Sequence, residues 1–259
     1  MDIKHIATTD RYTFENLPRK KERALEFESA SLLKTYFFHK GSGELEVENG
    51  DQIHSYEISE AEGFMITPGT SYRLHTNEDS DIFRVSSSTS EGPVWEIIDD
   101  GQSRQEQKLD GVKLIKDIKK VSKPWGYELW ICWTRDYHVL KQIKMNAGNR
   151  SSLQFHREKL ETNYLVEGEA DIIDGYHLDP QAPEEEVQAS SKGVDFEQYR
   201  STFYPGDYWT STPGTVHRVI AKTTYLAYEV STPELDDVIR LQDDKGRVSG
   251  RIASEHNRI

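Results

Sequence analysis

The chain predicts an all-β fold present in two copies, and three observations carry that reading. Short alternating runs dominate it: SLLKTYFFH, GELEVEN and SYEIS in the first half, then HVLKQIKM, NYLVEG, EADIID and TYLAYEV in the second. These runs are rich in Tyr, Val, Ile and Phe and are punctuated by Gly, Pro, Asn and Asp, the pattern of a sandwich or barrel. Two segments also recur in the same order. GELEVENG (43–50) matches GEADIIDG (168–175), and TPGTSYR (67–73) matches TPGTVHR (212–218). The expected organisation is one β unit at 1–112 and a second at 113–259.

Within that frame each stretch has a reading. Helical periodicity is confined to residues 113–120 and 236–241, so a short helix is expected at each. The second copy is longer between its matched segments, which places an insert at roughly 176–200. Its sequence, HLDPQAPEEEVQASSKG, is polar, acidic and Pro-bearing, as in an exposed loop. A lid over a pocket and a solvated excursion are the two readings of it.

The 259 residues carry a net charge of −13 and a pI of about 5.2. That balance argues against nucleic acid or an anionic membrane surface as partner, leaving a small anion only where Lys and Arg cluster locally. Cys132 is the single cysteine, consistent with a reducing compartment. The first residues show no apolar core or cleavage pattern, and no run reaches the ~18 apolar residues that span a bilayer. The expectation is a cytoplasmic protein.

The stretch SSLQFHREKLETNYLVEG (151–168) puts an amide, an imidazole and a carboxylate on a short length of strand. Gln154 and His156, two apart, leave the same face, and Glu161 returns on the next strand. His217 follows the Thr-Pro-Gly-Thr turn at 212–215. Two imidazoles, a carboxylate and an amide oxygen suit one divalent ion, with Zn²⁺ first and Fe²⁺, Mn²⁺ or Ni²⁺ as alternatives. In the first copy the repeat places Ser29, Ser31, Tyr36 and Tyr72 at the four ligand positions, so that copy is expected to be metal-free. It would then serve as structure, as a wall, or as the surface of a homodimer.

The spacing Gly148-x5-Gln154-x-His156-x4-Glu161-x6-Gly168, followed by Gly206-x5-Thr212-Pro213-Gly214-x2-His217, resembles the two cupin motifs. Gln154 stands where the first His is usual, and Thr212 where Pro is usual. The resemblance implies two tandem cupin barrels, each a double-stranded β-helix or jelly roll. Three further blocks, KPWGYELW (123–130), NAGNRSSLQFH (146–156) and EVSTPELDDVIRLQDDKGR (229–247), are similar in order to the cupin domain of type II mannose-6-phosphate isomerases. Arg157, Glu158 and Lys159 replace that family's His-rich stretch, and Thr162-Asn163 its His-Trp. The resemblance implies aldose–ketose isomerisation of a phosphorylated sugar. Lys141 and Glu128 are the candidates for proton transfer, and Arg150, Arg218 and Arg240 for the substrate phosphate. Two other readings stand beside it: an iron-dependent cupin oxygenase, and a non-catalytic sugar-binding bicupin.

Overall fold

The computed structural model describes residues 3–24, 26–88, 111–134, 137–234 and 236–250. The chain divides into two compact units, Met1–Ile118 with Ile131–His138, and Lys119–Trp130 with Val139–Ile259. Among the described residues, no helix is long and apolar enough to cross a membrane.

The first unit runs β1 (Lys4–Thr8), β2 (Tyr12–Arg19), β3 (Glu28–Ser29), β4 (Lys34–Lys40), β5 (Gly43–Asn49), β6 (Gln52–Ile58), β7 (Gly63–Ile66), β8 (Ser71–Thr76), β9 (Ser80–Ser87) and β10 (Val112–Ile115). They form a six-stranded sheet ordered β1-β2-β9-β4-β7-β10 and a four-stranded sheet ordered β3-β8-β5-β6. Alternation sends Tyr36, Phe38, Leu45, Val47, Tyr72 and Leu74 to one buried cluster.

The second unit repeats this plan with β11 (Lys119–Lys123), β12 (Gly126–Trp133), β13 (Val139–Met145), β14 (Leu153–Phe155), β15 (Glu161–Glu167), β16 (Ala170–His177), α1 (Glu184–Ser191), β17 (Arg200–Phe203), β18 (Tyr208–Ser211), β19 (Thr215–Ala221), β20 (Tyr225–Ser231) and β21 (Ile239–Gln242). One sheet is ordered β11-β12-β13-β20-β15-β18 and the other β17-β16-β19-β14-β21. Met145, Leu165, Ala170, Ile172, Trp209, Ala221, Tyr225 and Ala227 make an apolar cluster that draws on both sheets.

Three local expectations change. Residues 113–120 and 236–241 contribute strands, not helices: β10 pairs with β7 and β21 with β14. Periodic runs this short cannot offset helix nucleation, whereas an adjacent strand edge satisfies their backbone at once. The insert is folded as well, through α1 and a 3₁₀ turn at Phe196–Tyr199. Its Val187 and Phe196 pack with Leu153, Phe155, Ile173 and Val216.

The third change is the register of the repeat. Gly168, at φ +93°, makes the turn before β16, and a Cβ there would meet Thr224 O at 2.1 Å. Its counterpart is Gly41, at φ +85°, two residues before Gly43. Gly43 pairs with Thr76 at the end of β8, just as Ala170 pairs with Ala221 at the end of β19. The GE identity therefore matches letters two positions away from the equivalent backbone.

The packing of the insert yields a test. Truncating a buried Phe costs about 3 kcal/mol or more, whereas a solvated loop position costs under about 0.5 kcal/mol. Phe196→Ala is expected to lower the unfolding free energy by about 3 kcal/mol in urea titration.

Candidate metal centre

β14 pairs with β19 so that Gln154 lies directly opposite His217, and β15 begins at Glu161. His156 follows β14 by one residue and leaves its sheet on the same side as Gln154. The Thr212–Thr215 turn needs Gly214 in the left-handed region (φ +84°), where a Cβ would meet Leu178 O at 2.3 Å. The structure thus brings together all four residues singled out by their spacing. The ligand atoms of His156, Glu161 and His217 lie within 4.8 Å of one another, and all three residues are buried.

Hydrogen bonding sets the tautomers. His217 Nδ1 donates to Thr215 O at 3.0 Å, and His156 Nδ1 donates to the carbonyl of Asp237. A carbonyl only accepts, so Nδ1 carries a proton in each ring, and in the neutral imidazole Nε2 then presents a lone pair. His156 Nε2 is 3.6 Å from Glu161 Oε2, and His217 Nε2 is 3.4 Å from Glu161 Oε1. Three acceptors therefore face one another. His156 Nε2 is buried without a hydrogen-bond partner. Burial, with Lys159 beside it, pushes the His156 imidazole down to about 3. A carboxylate and two imidazoles protonated on Nδ1 are a donor set that suits a divalent ion, and the backbone carbonyls behind them orient the rings. Gln154 receives the Ser152 hydroxyl on Oε1 at 2.5 Å and places Nε2 3.4 Å from His217 Nε2. A half-turn of the amide would present the oxygen instead.

A pocket opens beside this trio, bordered by Lys123, Trp125, Glu128, Trp130, Lys141, Lys159, Asn163, Trp209, Glu229 and Arg240 among others. Its charges alternate across neighbouring strands. Lys123 lies 3.6 Å from Glu128, Lys141 lies 4.0 Å from Glu128 and 3.4 Å from Glu229, and Lys159 lies 2.9 Å from Glu229 and 2.5 Å from Glu161. Burial alone would raise Glu128, but Lys141 and Lys123 more than offset it and hold the carboxyl at about 2. Burial likewise opposes the charge on Lys159, yet Glu161 and Glu229 raise its pKa above the ordinary lysine value.

Spacing did not reveal Lys159, Glu229 or Asp237. Asp237 organises the turn between β14 and β15. Its carboxylate accepts the backbone N–H groups of Arg157 (3.0 Å), Glu158 (2.6 Å) and Lys159 (3.0 Å). The one available signal for Asp237 was a carboxylate in the middle of the third family block, with no indication of its partner.

The three arginines separate. Arg240 pairs directly with Gln154 across β21 and shares its face of the sheet. Arg218 borders the pocket, but it is the chain neighbour of His217, so its side chain leaves the opposite face. There Nη2 donates to Gln242 O at 3.2 Å, and Arg150, Asp244 and Asp243 set its electrostatic surroundings. Arg150 is paired with Asp244 and does not border the pocket. No residue from 178 to 200 borders the pocket either; the insert packs behind the sheet rather than over the opening.

In the first unit the corrected register changes the equivalent residues. Glu28 pairs with Tyr72 as Gln154 pairs with His217. Ala30 O receives Gly69 N as His156 O receives Gly214 N, and Lys34 stands at the head of β4 as Glu161 heads β15. Glu28, Ala30, Lys34 and Tyr72 thus replace Ser29, Ser31, Tyr36 and Tyr72 as the four positions. Lys34 Nζ donates to Tyr72 Oη at 3.2 Å, and Tyr72 Oη donates to Glu28 at 3.3 Å. Glu44, Glu46 and His75 also cluster in this unit. There His75 Nδ1 accepts from Ala24 N at 2.9 Å, so Nε2 carries the proton and faces Glu46 at 3.2 Å. Glu46 also pairs with Arg73, so its carboxylate is already committed to a guanidinium.

No protein-family model matches the chain, and no curated protein matches it. Solved structures do. An oxalate decarboxylase of Lactobacillus farciminis in its formate complex aligns with a TM-score of 0.60 at 11% identity, over 90% of this chain and 80% of that one. A Streptomyces albus HEPD bound to 2-hydroxyethylphosphonate and Fe(II) aligns with a TM-score of 0.62 at 9% identity, over 89% and 70%. Vicilin from Corylus avellana aligns with a TM-score of 0.58 at 10% identity, over 86% and 75%. The fold is that of two tandem cupin units.

The depressed Glu128 carboxyl gives a pH test. A folded-state pKa below the unfolded value of about 4.3 adds stability at higher pH, which is lost as pH falls from about 4.3 to about 2. Glu128→Gln removes that component, so urea midpoints measured through this window are expected to fall less steeply than in the parent protein.

Proposed function

We propose that the second unit binds one divalent metal ion through His156, Glu161 and His217, with Gln154 as a fourth donor once its amide turns. We further propose that the protein is an isomerase of a phosphorylated sugar, resembling type II mannose-6-phosphate isomerases. The observation that carries this reading is the buried trio of acceptors opening into a pocket bordered by Lys123, Lys141, Lys159 and Arg240. All three sequence blocks of the resemblance contribute to that pocket: Trp125 and Glu128 from the first, Ser151, Ser152, Gln154 and His156 from the second, and Glu229 and Arg240 from the third. Zn²⁺ is the first candidate, with Fe²⁺, Mn²⁺ and Ni²⁺ as alternatives.

When bound, the ion would supply Lewis acidity toward a carbonyl or hydroxyl oxygen of the open-chain sugar. The chain supplies the rest. Lys141, held between Glu128 and Glu229, keeps a proton available to a substrate oxygen. Glu128, already held at about 2, is a weak base and fits the role of counter-ion to Lys141 and Lys123. Glu229 is the remaining carboxylate with access to the pocket and takes the proton that moves between C1 and C2. Arg240, on the edge next to Gln154, receives the phosphate, and Trp125 and Trp209 wall off the sugar. The protein is proposed to act in the cytoplasm.

One observation favours a second reading. Two imidazoles and one carboxylate are also the facial set of non-haem iron oxygenases, and the HEPD neighbour was solved with Fe(II) bound.

Elemental analysis is expected to find close to one metal per chain, lost in the His156→Ala, His217→Ala double variant and retained in Tyr72→Ala. Two metals per chain would sink the single-site reading. For the reaction, 2-deuterated sugar phosphates, mannose 6-phosphate first, are incubated anaerobically and deuterium release is followed with and without a chelator. Release that the chelator abolishes is the expected result. O₂-dependent turnover with Fe²⁺ and no anaerobic exchange would replace the isomerase reading with the oxygenase.

A further inference from the structure

Lys159 sits where a lysine is least expected, beside a set of metal ligands. It is 5% exposed, and its Nζ bridges Glu161 Oε2 at 2.5 Å and Glu229 Oε1 at 2.9 Å. Two constraints fix it there: the Asp237 carboxylate accepts its backbone N–H at 3.0 Å, and Leu160 N donates to Thr232 Oγ1 at 3.1 Å. Glu161 Oε1, by contrast, faces His217 Nε2 at 3.4 Å and Asn163 Nδ2 at 3.3 Å. The two oxygens of one carboxylate thus have different partners. Oε2 is held by the ammonium and lies 3.6 Å from His156 Nε2, and Oε1 is turned toward His217.

We propose that Lys159 is the positioning residue of the metal centre: it reserves Glu161 Oε2, leaving Oε1 as the single carboxylate donor, and acts as the counter-cation of the acceptor trio when no metal is bound. This rests on the metal reading above but not on the identity of the reaction. Two consequences follow from charge alone. Without metal, the ammonium offsets the repulsion among three buried acceptors, so the unit stays folded. With metal, a fixed positive charge one carboxylate away from the ion weakens binding, because like charges a few ångströms apart at protein-like dielectric repel strongly. Glu229 retains the lysine throughout, so metal entry does not require the ammonium to leave the site.

The test compares the full-length protein with Lys159→Met, Lys159→Gln and Lys159→Arg. Zn²⁺ affinity is measured by competition with a chromophoric chelator, Co²⁺ coordination by visible absorption, and metal-free stability by thermal unfolding. Lys159→Met is expected to bind Zn²⁺ about 10-fold more tightly or better. Its metal-free melting temperature should fall below that of the parent, and its Co²⁺ visible bands should weaken as the second carboxylate oxygen joins the ion. Lys159→Arg keeps the charge and is expected to bind and absorb like the parent. Lys159→Gln, neutral but still a donor, provides the neutral comparison if the Met variant does not fold. Equal or weaker Zn²⁺ binding in the neutral variants, or an unchanged Co²⁺ spectrum, overturns the proposal while leaving the metal site standing. Absence of Zn²⁺ and Co²⁺ binding in every protein, parent included, removes the metal reading and this inference with it.

Discussion

The second unit is organised around a surplus of lone pairs. His156, His217 and Glu161 converge, and each imidazole donates from Nδ1 to a backbone carbonyl, so that Nε2 is the atom turned toward the carboxylate and open to a cation in the neutral ring. Such a cluster is unfavourable in a buried site unless a cation compensates it. The local architecture maintains the arrangement: β14 and β19 face Gln154 with His217, and the Asp237 carboxylate gathers three successive N–H groups into the turn that leads to Glu161. That same turn delivers Lys159. The site therefore carries its own positive charge, independent of any ion it binds.

Much of this was legible in the sequence wherever the determinant was local. The two-residue step from Gln154 to His156 and the Thr-Pro-Gly-Thr turn before His217 are short-range instructions, and alternating runs identify strands without a partner. What escaped depended on pairing across the chain. Arg218 looks like a site residue because it adjoins His217, but adjacency on a strand means opposite faces, and it lies on the outer side. Glu229 and Lys141 become neighbours only because β13 and β20 are paired. The insert read as a loop because its buried groups, Val187 and Phe196, are isolated apolar residues in a polar stretch, and only the sheet behind them reveals why they are there.

The two copies show which parts of the plan are backbone and which are chemistry. The first unit keeps the strand pairing around its equivalent positions but carries Lys34 where the second has Glu161, and Tyr72 where the second has His217. Exchanging a carboxylate for an ammonium removes the surplus of acceptors, and the tyrosine hydroxyl then links Lys34 to Glu28. Even the turn before β7 follows the shared plan. Ala61 adopts φ +61° where the second unit has Gly206 at φ +99°, although a Cβ at such a φ is strained. The two units share this backbone plan while their side chains at the four positions differ.

The charge ladder limits what the pocket can recognise. Lys123, Lys141 and Lys159 each face a carboxylate within 4.0 Å, so each cation is already neutralised before any substrate arrives. A phosphate reaching one of these lysines would have to compete with a fixed, buried carboxylate, and the gain from a new ion pair would be reduced by the loss of the old one. Arg240, opposite Gln154 on β21, donates from Nη1 to the backbone carbonyls of Val248 and Gly250, which fix its guanidinium at that edge. The ladder thus keeps the Glu128 and Glu161 carboxyls ionised, and under the proposed reading it leaves the phosphate to the β21 edge next to Gln154.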